Sequence, residues 1–227
     1  MTYELAIGDR AYSTWSLRGW LLFAAFDIPV TVHRAQMWTP EFTALLDRFA
    51  PTETVPAVRT PHGALVTDSI AIAETLAEAH PEAGHWPTDP KARGMARSLA
   101  AEMHSGFGAL RTACPMNLRV AWAEFTPDAA TEADLARLER LWNTARDLSG
   151  SDGWLFGAYS AVDAFFAPVA ARIAGYDLPV SDAAQAYVAH QLTSEPVVTW
   201  RRLAQEDGPD QPKYHPERPT RPWPYPV

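Results

Sequence analysis

The sequence predicts an α+β fold in two parts, a small unit of alternating strands and helices followed by an all-helical one. Three observations carry this reading. Up to residue 80, short β-prone runs alternate with segments whose apolar residues recur at helical spacing. Residues 81–90 hold three prolines and a glycine, which suits a linker. Beyond residue 90 strand signals nearly vanish while helical stripes continue. The expected division is a first unit over 1–80, a linker over 81–90, a helical unit over 91–208 and a proline-rich extended tail over 209–227.

Taken in order, Tyr3 to Ile7 is a strand stopped by Gly8, and Leu17, Trp20, Leu21, Ala24 and Ala25 mark a helix from Trp15 to Phe26. Val30-Thr31-Val32 supplies a β-branched strand. Thr39-Pro40 reads as an N-cap with proline at the first helical position, leading through Phe42, Leu45, Leu46 and Phe49. Ala57-Val58 and Leu65-Val66 flank Pro61-His62-Gly63 as a short hairpin, and Asp68 caps a helix through Ile70, Ile72, Leu76 and Ala77. The pattern is βαβ–ββα, whose first unit requires parallel pairing through a right-handed crossover. Asp89-Pro90 starts a helix through Ala92, Met95, Leu99 and Met103 towards Leu110, and Thr131 begins another through Leu135, Leu138, Leu141, Trp142 and Leu148. Ser160 to Ala174, Asp182 to Leu192 and Ser194 to Leu203 complete the helices, while Trp223 and Tyr225 can pack the tail on the body.

Composition narrows the function classes. The net charge is −8, and seventeen arginines stand against two lysines, Lys91 and Lys213. The arginines are scattered, so neither a nucleic-acid stripe nor a basic membrane helix emerges. No apolar run approaches bilayer length, and the start lacks signal-peptide regions, so a cytoplasmic location is expected. Cys114 is the only cysteine, which rules out an internal disulfide, a CxxC pair and a thiolate-clustered metal site. Any thiol chemistry must then come largely from a ligand. No HExxH spacing and no Gly-x-Ser-x-Gly elbow is present, so zinc and serine hydrolases lack support.

Ser13 lies where the first strand meets the first helix, close to the unpaired N–H groups of the positive helix end. It can simply cap that helix. It can also donate its hydroxyl hydrogen to a ligand thiolate. Moving a cysteine-like thiol from about 8.5 to about 6.5 needs roughly 2.7 kcal/mol in favour of the ionised form. A hydrogen bond to a charged group contributes about 1.5–3 kcal/mol, and a helix terminus about 0.3–1 kcal/mol. One hydroxyl and one helix end therefore suffice. In this role serine is a donor and the sulfur is the nucleophile.

Two further anchors follow. A cis bond at Val55-Pro56 would expose the Val55 backbone N–H and C=O to a peptide-like ligand, although trans is the default for any X–Pro bond. Asp68 and Ser69 open the third helix and can receive a ligand carboxylate and ammonium, or Asp68 can act as a plain cap. A thiol donor, a peptide clamp and a carboxylate receptor together match the tripeptide glutathione better than a nucleotide or sugar.

Ser13-Thr14-Trp15-Ser16-Leu17-Arg18, Thr54-Val55-Pro56-Ala57-Val58 and Asp68-Ser69-Ile70-Ala71-Ile72 resemble the cytosolic glutathione S-transferase pattern in order and spacing. Ser160-Ala161-Val162-Asp163-Ala164, preceded by Trp154-Leu155-Phe156-Gly157, is similar to the family's helix-six capping box. The resemblance covers nearly the whole chain. It implies a thioredoxin-like first domain, an all-α second domain, a cis-proline at Pro56 and a homodimer. It also implies a catalytic Ser13, with Val55, Pro56, Asp68 and Ser69 holding glutathione. The pattern is nearest the serine-type, zeta-like bacterial members, although zeta enzymes usually show Ser-Ser-Cys where this chain has Ser13-Thr14-Trp15. The implied activity is attack of glutathione on an electrophilic small molecule. The alternatives are a glutathione-dependent cis–trans isomerase of a maleylacetoacetate-like substrate, or a non-catalytic glutathione-binding relative. By placement, Trp15, Trp38, His104, Phe107, Arg111 and Met116 are candidates for the co-substrate pocket. Arg111 can receive a substrate carboxylate or lie in an ion pair, and Trp15 can be core instead of pocket wall.

Overall fold

The computed structural model describes residues 2–215 and 217–225. The first part holds β1 (Tyr3–Ile7), α1 (Thr14–Ala24), β2 (Val30–Arg34), α2 (Pro40–Arg48), β3 (Ala57–Arg59), β4 (Leu65–Val66) and α3 (Ser69–Ala79). The sheet order is β2-β1-β3-β4. β1 runs parallel to β2, with Tyr3 opposite Val30, and antiparallel to β3, with Leu5 opposite Val58. This is a thioredoxin-like βαβ–ββα unit. Leu5, Ala6 and Ile7 are fully buried because β1 lies inside the sheet. The caps at Thr39, Asp68 and Asp89 accept from the N–H groups of Phe42, Ile70 and Ala92, as their side chains dictate.

The helical part comprises α4 (Pro90–Ser105), α5 (Gly108–Ala113), α6 (Ala129–Ser149), α7 (Ala161–Tyr176), α8 (Asp182–Leu192) and α9 (Glu195–Glu206). All sixteen residues of α7 are buried, and it packs against α1, α4 and α8. Phe165 and Phe166 are fully enclosed, so truncating either to alanine would cost about 3–5 kcal/mol. The capping box that starts α7 is present: Asp163 Oδ2 accepts from the Ser160 N–H at 3.0 Å. Asp163 also accepts from Tyr187 Oη–H at 2.8 Å. Burial is the main reason its carboxyl is raised to about 6.

Three sequence expectations need correction. The helix from Pro90 does not run on to Leu110. It ends at Gly106, Phe107 adopts φ +58°, and α5 starts afresh at Gly108. The long helix begins at Ala129, capped by Asp128, whose Oδ1 accepts from the Thr131 N–H at 2.8 Å. The tail is more than an extended strap, because Pro212–Tyr214 forms a 3₁₀ turn and β6 (Thr220–Arg221) pairs antiparallel with β5 (Ala121–Trp122). Trp223 packs so closely on α7 that a Cβ at Gly175 would lie 3.2 Å from its ring. Tyr225 is also packed against the main core.

Candidate functional site

The chain turns sharply between β1 and α1. A Cβ at Gly8 would sit 2.7 Å from Met37 Cγ, so any larger residue would have to displace the Met37 side chain. The Asp9 carboxylate then accepts from the Met37 N–H at 3.0 Å, and the Asp9 carbonyl accepts from the Ser13 N–H at 2.8 Å. These contacts set Ser13 at the N-cap of α1 with extended backbone. Its Oγ accepts from the Ser16 N–H at 3.2 Å, and its hydroxyl donates to Ser16 Oγ at 2.8 Å. Helix geometry leaves the N–H groups of Thr14 and Trp15 without intrahelical acceptors. Ser13 is only 6% exposed, yet it lines a cavity of about 380 Å³. Capping and cavity placement thus coexist at one residue.

Tyr12 lines the same cavity, but its hydroxyl donates to Asp210 at 2.8 Å. Burial first, and the Asp210 bond second, push the phenol up to about 12. Its polar end is therefore committed to the C-terminal segment. Tyr214 from that segment stacks on Tyr12 with ring centroids 4.8 Å apart and closes one side of the cavity.

A second cavity of about 300 Å³ lies along β3 and the start of α3, lined by Trp15, Val55, Pro56, Asp68, Ser69 and His104 among others. The Val55–Pro56 bond is cis, as is Ala50–Pro51. Pro56 packs directly on α1, where a Cβ at Gly19 would stand 2.6 Å from its ring. Neither backbone group of Val55 has a partner among the described residues. At α3, Asp68 Oδ1 accepts from the N–H groups of Ile70 at 2.8 Å and Ala71 at 3.3 Å. His104 bridges the two opening residues of this helix. Its Nε2 is 3.2 Å from Asp68 Oδ2, and its Nδ1 is 3.4 Å from Ser69 Oγ.

Trp15 is the wall common to both cavities. The guanidinium of Arg18 lies 4.6 Å from its ring centroid and that of Arg111 lies 5.1 Å away, with His104 edge-on at 5.0 Å. Arg111 and Arg172 both line the first cavity. Among the described residues Arg111 donates to the carbonyls of His104 and Gly106, and Arg172 to those of Cys114 and Pro168. Arg18 donates through Nε to the Phe165 carbonyl, while its buried Nη1 has no partner. No carboxylate pairs with any of the three among the described residues, whose arginine ion pairs lie elsewhere. Burial, followed by the charge of Arg111, lowers Arg172 to about 10. Burial, followed by the charges of Arg172 and Arg111, also depresses Arg18. Positive charge is concentrated here without a counter-ion among the described residues.

Of the residues singled out from the sequence, Ser13, Trp15, Arg111 and Met116 come together at the first cavity. Trp15, Val55, Pro56, Asp68, Ser69 and His104 come together at the second. Two candidates lie apart. Phe107 is buried in the helical core, at the kink between α4 and α5. Trp38 is 57% exposed and stacks on Tyr214 at 6.0 Å, outside the lining of either cavity. Sequence reasoning missed Tyr12, Arg172 and Tyr214. Arg172 had a signal, as the only basic residue within the apolar α7. Cys114 is buried, and burial is the main reason its thiol is pushed up to about 12, which suits a small core residue.

A small mixed sheet followed by stacked helices is the architecture of the glutathione transferase fold class, and here the second cavity lies between the start of α1 and the cis-proline loop. Residues 12–79 match the family model described as glutathione S-transferase, N-terminal domain. Among solved structures, a glutathione transferase homologue from Burkholderia gl BGR1 with bound glutathione is similar at TM-score 0.65 and 22% identity, covering 92% of this chain and 100% of that one. A Tau class glutathione S-transferase, MiGSTU, from mango (Mangifera indica) is similar at TM-score 0.67 and 15% identity, covering 90% and 96%. A sphingomonad glutathione S-transferase complexed with glutathione is similar at TM-score 0.58 and 18% identity, covering 89% and 98%. Comparison with curated protein sequences gives no match. No helix among the described residues is long and apolar enough to cross a membrane.

Proposed function

We propose that this chain is a glutathione transferase that holds the glutathione sulfur as a thiolate beside Ser13 and directs it at an electrophile bearing a carboxylate. The observation that carries the proposal is the first cavity, where Ser13 at the α1 N-terminus shares one wall system with the unpaired cations Arg111 and Arg172. Glutathione lies along the second cavity. Its cysteinyl backbone pairs with the free N–H and C=O of Val55, and its γ-glutamyl end meets Ser69, Asp68 and the N-terminus of α3. Ser13 donates to the sulfur and lowers its proton affinity. The sulfur lone pair then forms a carbon–sulfur bond at the electrophilic carbon. In a conjugate addition the displaced electron pair moves onto the conjugated carbonyl oxygen, and a proton is later taken up at carbon.

The same arginines favour a second reading, a cis–trans isomerase for an unsaturated dicarboxylate. There the thiolate adds, the former double bond rotates, and expulsion of the thiolate restores the double bond with no net thiol consumed. A paired assay tests both readings. Thiol loss and double-bond isomerisation are followed with matched electrophiles that differ only by carboxylate or methyl ester. The expected result is turnover of the acid at least tenfold faster than of the ester. Equal rates would remove the arginines from substrate choice. Absence of either reaction, with glutathione still bound, would favour a non-catalytic relative.

A further inference from the structure

Ser16 is fully buried inside α1 and lines neither of the two cavities. Its Oγ accepts from the Gly8 backbone N–H at 3.0 Å and from the Ser13 hydroxyl at 2.8 Å. Ser13 Oγ in turn accepts from the Ser16 backbone N–H. In this arrangement both lone-pair directions of Ser16 Oγ are used, while its own hydroxyl hydrogen meets no acceptor among the described residues. Ser13 Oγ lies 2.8 Å away and becomes available as its acceptor when Ser13 turns its own hydrogen elsewhere.

We infer that Ser16 is a positioning residue for thiolate stabilisation, its hydroxyl turning to donate to Ser13 Oγ as Ser13 turns to donate into the cavity. The inference rests on the thiolate reading above and adds a second residue to it. No covalent bond forms or breaks, and each oxygen keeps its own hydrogen. After the turn Ser13 Oγ accepts twice, from the Ser16 N–H and O–H, and donates once, to sulfur. Ser16 Oγ accepts from Gly8 and donates to Ser13. Both hydroxyl hydrogens of the pair then have acceptors. Two donors aimed at Ser13 Oγ withdraw electron density from it, so its own hydrogen becomes a stronger donor than that of an isolated serine. The chain Gly8 N–H, Ser16 O–H, Ser13 O–H, sulfur runs from the end of β1 to the reacting atom. The sheet thus anchors the activating hydroxyl.

A variant cycle tests this, with the pKa of enzyme-bound glutathione read from ultraviolet thiolate absorbance. Ser16→Ala is expected to raise the bound-thiol pKa by about 0.5–1. Ser16→Thr, which keeps the hydroxyl, should stay near the wild-type value. In a Ser13→Ala background, adding Ser16→Ala should change nothing more, because Ser16 acts only through Ser13. An unchanged pKa in folded Ser16→Ala, or an equal further rise in the Ser13→Ala background, would overturn the relay. An unchanged pKa in Ser13→Ala would overturn the thiolate reading together with the relay. A neutron structure of the unaltered chain with glutathione reads the relay without substitution. Deuterium from Ser16 aimed at Ser13 Oγ supports it, and deuterium aimed elsewhere overturns it.

Discussion

Tyr12 donates its phenolic hydrogen to Asp210 at 2.8 Å, which ties the residue beside Ser13 to the C-terminal segment. A tyrosine next to a thiol site is an obvious rival to serine as the activating hydroxyl. Here its polar end faces the tail, and burial together with Asp210 holds it as a neutral phenol. Tyr12→Phe should therefore leave the bound-thiol pKa within about 0.3 of wild type. It should also loosen the tail by about 1–2 kcal/mol through loss of one charge-assisted bond. Proteolytic nicking after α9 would report the loosening.

Arg111 is the most accessible of Arg18, Arg111 and Arg172. Arg111→Ala should raise KM for a carboxylate-bearing electrophile about 10- to 100-fold, equivalent to ~1.4–2.7 kcal/mol. Glutathione affinity should change little, because the second cavity does not include Arg111. Steady-state kinetics with varied co-substrate, beside calorimetry with glutathione alone, separates the two effects.

Asp68 has two tasks that one substitution can part. Its Oδ1 caps α3, while its Oδ2 faces His104. Asp68→Ser should keep most of the cap, losing under about 0.5 kcal/mol of stability. It should still weaken glutathione binding about tenfold through loss of a carboxylate facing the ligand ammonium. Urea melts and binding calorimetry on the same preparation check both halves.

Asp163 makes stability depend on pH. Its folded carboxyl is raised to about 6 by burial, above the unfolded value of about 3.9. The native state thus binds the proton more tightly. Stability from this group is full below about pH 4 and is lost as pH rises to about 6, with little change beyond. Asp163→Asn should flatten that interval by about 1–3 kcal/mol. It should also lower stability throughout, because the amide cannot accept from all of Ser160, Leu155 and Tyr187. Denaturant melts at pH 4.5 and pH 7 measure both.

Much of the fold was legible because it is written in local chemistry. The caps at Thr39, Asp68 and Asp89, the hairpin around Pro61-His62-Gly63 and the capping box of Ser160 and Asp163 each follow from residue types a few positions apart. The kink at Phe107 was not legible, since periodicity carries no sign of a left-handed backbone at a phenylalanine. The same limit applies to the site. Ser13, Val55, Pro56, Asp68 and Ser69 sit at element boundaries, which sequence marks. Arg172 and Tyr214 reach the cavity from α7 and from the tail, and only tertiary packing brings them beside Ser13.

The central claim is that the Ser13 hydroxyl holds glutathione as a thiolate at the start of α1. Titrating the ultraviolet absorbance of glutathione bound to the wild type and to Ser13→Ala measures it directly. The predicted result is a midpoint raised by about one to two pH units in the variant, with most binding affinity kept. Coincident titration curves for the two proteins would contradict the account.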